Sequence, residues 1–140
     1  MKWALAAILT LLLWGVWGIL LKKISVRAEW YTVYLVTNTA ILLVMITIIF
    51  TKGLSHLSVL DTKSIVVGLA AGLAGTLGYI FLIWSLQWGG KASIVIPLTS
   101  LYPAITVVLS YIVLGENLSY RQIAGIIFAM IAVVLLSSQD

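Results

Sequence analysis

Residues 64–90 read SIVVGLAAGLAGTLGYIFLIWSLQWGG, and no charged side chain interrupts them. A helix rises about 1.5 Å per residue and a bilayer's hydrocarbon core is about 30 Å thick, so about 20 apolar residues reach across it. Outward from this stretch the pattern repeats: charge-free runs cover 3–21, 30–51, 92–115 and 122–139, separated by short polar clusters. In lipid the backbone must satisfy its own hydrogen bonds, so each run is expected to be helical. The expected fold is an all-α integral membrane protein, with five transmembrane helices at about 3–21, 30–50, 64–88, 92–114 and 120–137. Connections this short make residues 1–140 a single membrane domain, multi-pass in the cytoplasmic (inner) membrane.

Composition agrees. The hydrophobic fraction is 63% and the charged fraction 9%, against roughly 25% charged in soluble domains. The absence of cysteine excludes a disulfide framework. The net charge of +4 comes from basic residues dispersed at span ends, a membrane topology signal rather than a stripe for nucleic acid. His56 is the one histidine and falls in the second loop, where it is expected to be solvated. No spacing of residues forms a metal site, a nucleophile with its base or a carboxylate pair, so neither cofactor, metal nor enzymatic activity is expected. The first run is also read as a retained span, because it exceeds a typical signal-peptide core and Lys22 and Lys23 follow it directly.

Within the spans a few residues stand out. Trp14 and Trp17 alternate with Gly15 and Gly18; they fit an interfacial aromatic belt or the rigid walls of a cavity. Asn38 lies within the second span, where facing lipid is costly, so it should make an interhelical hydrogen bond or contact a substrate. The third span opens with small residues. Gly68 and Gly72 form one small-xxx-small pair and Ala71 and Gly75 another, a helix-packing signal. Its second half is polar and aromatic, with Thr76, Tyr79, Trp84, Gln87 and Trp88. The fourth span holds both prolines, Pro97 and Pro103, which leave the carbonyls of Ser93 and Thr99 without helical donors. Thr99, Pro103, Thr106 and Ser110 share one face of it, with Tyr102 beside them near mid-span. A bent, hydroxyl-lined helix fits either a packed kink or a solute path. Gly115 and Glu116 then make a turn in which Gly115 suits the left-handed end of a helix. Ser119 and Gln122 have capping-box spacing, with Leu118 and Ile123 placed as a hydrophobic staple.

Five spans put the termini on opposite sides. Lys2, Lys52, Lys63 and Arg121 then lie on one side, and Lys22, Lys23, Arg27 and Lys91 on the other. Orientation follows the imbalance between such counts, and here it vanishes. A chain that inserts both ways can pair with an opposite copy, giving ten spans related by a pseudo-two-fold axis in the membrane plane.

The stretch 91–137, KASIVIPLTSLYPAITVVLSYIVLGENLSYRQIAGIIFAMIAVVLLS, resembles the EamA domain of the drug/metabolite transporter superfamily. Pro103, Gly115, Glu116, Gln122 and Gly125 match that domain's proline-containing fourth helix, Gly-Glu turn and last helix. Trp14, Gly15 and Lys22 resemble its opening. Most members carry two such domains in tandem, so the resemblance implies that this chain is one half of an inverted-repeat transporter and needs a partner. It implies transport of small metabolites, amino acids or drug-like solutes by alternating access, with no substrate identified. Charged groups are absent from mid-span, so facilitated diffusion or exchange is expected over a buried proton relay. The expected cavity is lined by Trp14, Trp17, Asn38, Tyr79, Thr99, Tyr102 and Pro103. The expected partners are the lipid bilayer, a small-molecule substrate and a second copy in an antiparallel homodimer. The competing reading is a non-transporting membrane subunit, or one half of a heteromeric transporter with a sister chain.

Overall fold

The computed structural model describes residues 2–54 and 60–137; His56 lies outside them. The described chain is helical, with no strand. Helix α1 runs Lys2–Ser25, α2 Trp30–Lys52, α3 Thr62–Gln87, α4 Ala92–Thr99, α5 Tyr102–Leu109 and α6 Tyr120–Ser137. A π-helical turn, Ser110–Leu114, prolongs α5.

Four segments are long and apolar enough to cross a membrane: Leu5–Ser25, Trp30–Lys52, Thr62–Gln87 and Ala92–Leu114. The last helix is apolar over Tyr120–Leu136 and shorter than these. Large side chains lie open along every helix, among them Leu12, Phe50, Leu69, Leu114 and Phe128. Apolar exposure on this scale is unsustainable in water and natural in lipid. Several threonine hydroxyls inside the spans bond to their own helix one turn back. Thr10 donates to Ala6 O at 3.0 Å, Thr39 to Leu35 O at 2.9 Å and Thr47 to Leu43 O at 2.9 Å. That removes the cost of an unpaired donor in hydrocarbon.

The chain divides into two compact units. One is Leu20–Trp88, holding the end of α1 with α2 and α3. Its buried residues are Leu21, Ser25, Val33, Ile83 and Leu86. Helix α3 starts at Asp61, whose carboxylate accepts the Ser64 N–H at 3.0 Å. The other unit is Met1–Ile19 with Gly89–Asp140. There Gly18 is buried, and a Cβ added to it would lie 3.5 Å from the Ile96 side chain, so its lack of a side chain lets α1 approach α4.

The fourth span is broken at Ser100 and Leu101, where ψ rises to −2° and −6°. Pro103 lacks the N–H that would reach the Thr99 carbonyl. The backbone answers with tighter bonds: Leu101 N–H reaches Leu98 O at 3.2 Å and Ala104 N–H reaches Leu101 O at 2.9 Å. Pro97 lies inside α4, with no such break beside it. Helix α4 packs along α6 and α5 diverges from it.

The span ends at Gly115, with φ 68° and ψ 23°. Its N–H and that of Glu116, the latter at 3.3 Å, both reach Ser110 O, one residue further back than in an ordinary left-handed helix end, hence the π turn. At the start of α6, Ser119 N–H donates to Gln122 Oε1 at 2.8 Å and Gln122 N–H to Ser119 Oγ at 3.3 Å, a reciprocal capping box.

Candidate functional site

The residues expected to line a cavity fall in both units. Asn38 and Tyr79 belong to the unit of α2 and α3; Trp14, Trp17, Thr99, Tyr102 and Pro103 belong to the other.

In the first of these, Tyr79 of α3 donates its hydroxyl to Thr37 Oγ1 of α2 at 2.8 Å. Thr37 passes the proton chain on, donating to Val33 O at 2.7 Å. One residue further, Asn38 Nδ2 donates to Tyr34 O at 2.8 Å. Asn38 thus bonds within its own helix, and the interhelical bond expected of it is made by its neighbour Thr37. With Nδ2 held by Tyr34, the Asn38 Oδ1 accepts no hydrogen bond among the described residues and stays open as an acceptor. The Tyr34 and Tyr79 rings lie 6.0 Å apart, tilted at 46°. Nearer the ends of α2 and α3, Trp30 meets Trp84 edge to face at 5.5 Å, and Trp84 stacks on Trp88 at 5.8 Å. The result is an aromatic wall leading from the span ends to a neutral polar node.

Two further bonds close the same end. Lys22 Nζ donates to Leu86 O at 2.8 Å, and Gln87 Nε2 donates to Ala28 O at 2.7 Å. A cation on the last carbonyls of α3 sits at the negative end of that helix. In the sequence Lys22 stood as a topology signal and as part of the opening motif with Trp14 and Gly15, and was not paired with α3. The available signal was that two polar side chains, Lys22 and Gln87, end neighbouring spans on the same side.

In the other unit, Trp14 and Tyr102 are exposed and Trp17 half-buried. The Thr99 hydroxyl donates to Val95 O at 2.9 Å, Thr106 to Tyr102 O at 3.1 Å and Ser110 to Val107 O at 2.9 Å. The hydroxyl face therefore has its donors committed and presents acceptors. Where α5 leaves α6 a groove of about 320 Å³ opens, lined by Ser100, Pro103, Ala104, Val107, Gln122, Gly125, Ile126 and Ala129, with Leu101 beside them. Of the expected cavity residues only Pro103 lines it. Opposite Ala104, the small residues Gly125 and Ala129 recur at helical spacing on α6, the one trace of the groove in the sequence.

The small-residue face of α3 is open: a Cβ placed on Gly68, Gly72 or Gly75 meets no atom within 4 Å. Among the described residues no group of three or more His, Cys, Asp or Glu side chains could hold a metal ion.

The sequence model described as the EamA-like transporter family matches residues 1–138. An uncharacterized protein of Methanocaldococcus jannaschii is 38% identical over 82 residues, which are 59% of this chain and 59% of that protein. The match thus spans about three fifths of that relative's length. No solved structure matches the chain.

Proposed function

The chain belongs to the EamA-like transporter family, and on that premise we propose that it carries small solutes across the membrane by alternating access, as an antiparallel homodimer. The observation that carries this reading is the family match over residues 1–138. In this reading α6 is the fifth span, placing the termini on opposite sides, in the cytoplasmic membrane. The equal division of lysine and arginine between the two sides supports insertion in both orientations.

The proposed solute contacts are Asn38 and Tyr79 in one unit and Trp14, Trp17, Thr99, Tyr102 and Pro103 in the other. The Asn38 Oδ1 and the Thr99 hydroxyl oxygen supply neutral acceptors, and aromatic rings supply walls, which suits polar-neutral, zwitterionic or amphipathic solutes. Transport by facilitated diffusion or exchange follows from the lack of charged side chains in mid-span. The open face of Gly68, Gly72 and Gly75 supports close packing of α3 against a second chain.

That open face also favours a second reading, in which the partner is a sister half or another membrane protein. Solute uptake into proteoliposomes containing only this chain tests the choice. Uptake that falls on Asn38→Ala and Tyr102→Ala supports the homodimeric transporter and its site. Uptake absent alone but restored by an equimolar co-purifying chain supports the heteromer.

A further inference from the structure

We propose that the groove between α5 and α6 holds an acyl chain of an anionic phospholipid, with its phosphate at Gln122 and Arg121. The groove exists because Pro103 breaks the fourth span and lets α5 leave α6. It stays open because Gly125 projects nothing into it: a Cβ built there meets no atom within 4 Å. Pro103, Ala104, Val107, Ile126 and Ala129 make its length apolar.

Its polar ends are unequal. At one end the Ser100 hydroxyl is spent on Ile96 O at 2.7 Å. At the other, Gln122 Oε1 accepts both the Ser119 N–H at 2.8 Å and the Ser119 hydroxyl at 2.9 Å. The capping box thus fixes the amide with its oxygen on Ser119 and its Nε2 hydrogens as the group left to offer. Arg121 precedes it in the first turn of α6. Glu116 lies in the preceding turn, yet among the described residues Arg121 has no ion-pair partner. Gln122 heads the apolar groove with its amide donors, and Arg121, outside the lining but next to it on α6, adds a cation; together they complement an apolar chain headed by an anion.

The setting selects a membrane lipid over a free amphipath: the groove runs beside Ala92–Leu114, a segment of membrane-spanning length, so lipid is its surrounding medium. This inference does not depend on which solute is carried.

The test is native mass spectrometry of the full chain extracted from vesicles of equal phosphatidylglycerol and phosphatidylcholine. Wild type should keep one phospholipid per chain, with phosphatidylglycerol favoured about fivefold, the factor expected of one arginine near an anionic head. Gly125→Phe fills the groove and should abolish retention, whereas Gly125→Ala should keep it. Arg121→Gln should keep a lipid while losing the headgroup preference. If Gly125→Phe, with unchanged helix content, retains as much lipid as wild type, the groove is not the site. Equal retention of the two lipids by wild type overturns the assignment of the phosphate.

Discussion

Replacing Lys22 with methionine keeps the apolar stem and removes the ammonium that holds the Leu86 carbonyl. The structure sets the size of the effect. The bond is short, 2.8 Å, the donor is charged, and the site is half-buried beside Leu21, Ile83 and Leu86. Bonds to charged groups contribute about 1.5–3 kcal/mol, and water reaching the span end places this one at the low end, about 1.5 kcal/mol. That is about a tenfold change in the unfolding equilibrium. Gln87→Leu removes a neutral bond to the Ala28 carbonyl and should cost about 1 kcal/mol. Both bonds tie the end of α3 to the end of α1 and the following turn, so the double variant should lose less than the sum, because the second bond has already loosened when the first is gone. The edge-to-face contact of Trp30 with Trp84 uses neither side chain and should persist in all three variants. Reversible unfolding in mixed micelles of a mild detergent and dodecyl sulfate, followed by tryptophan emission, measures each variant. Lys22→Arg, which retains a charged donor, should stay near wild type. A Lys22→Met protein that unfolds with the wild-type midpoint would refute the reasoning, since water would then be serving the Leu86 carbonyl as well as the ammonium does.

Tyr79→Phe removes the hydrogen bond from Tyr79 of α3 to Thr37 of α2 and should destabilise by about 1 kcal/mol in the same assay, while Thr37 keeps its bond to Val33. Asn38→Ala should lower solute uptake with less loss of stability, because among the described residues Asn38 bonds to its own helix; equal losses of both would make it a structural residue. Pro103→Ala restores a donor to the Thr99 carbonyl and should close the break at Ser100 and Leu101, slowing transport while raising the unfolding midpoint. Asp61 caps α3, and its hydrogen bonds to the Ser64 side chain and backbone hold its carboxyl below the ordinary value of 3.8. A lowered folded value stabilises the helix start above pH 3.8 and loses that contribution as pH falls through the folded value. Protection of the Ser64 N–H against hydrogen exchange, taken relative to the intrinsic rate at each pH, should therefore fall in acid, and Asp61→Ala should remove that acid dependence.

The helices were legible because lipid imposes one rule: a long apolar run must be a helix, and charge marks its ends. The break in the fourth span was legible from its prolines, although only Pro103 makes it; Pro97 is absorbed within α4. The turn at Gly115 and the Ser119–Gln122 box were readable because each needs a specific residue at a specific place. The pairing of Lys22 with Leu86 was not, since its acceptor is a backbone carbonyl that carries no sequence signature. The groove left only the small Gly125 and Ala129 as a trace, because its shape arises from the path of α5 relative to α6. Asn38 shows a related limit. An amide in a span announces that a bond must be made, but the choice between its own Tyr34 carbonyl and a neighbouring helix is one of geometry.

The central claim is that this chain is half of a transporter that completes itself with an oppositely oriented copy. Its most direct test places paired reporters at the C-terminus, one active only in the cytoplasm and one only outside it. The account predicts comparable signal from both, shifting to one side when a lysine is removed from either set of loops. Signal from one side alone, unmoved by such changes, would contradict it.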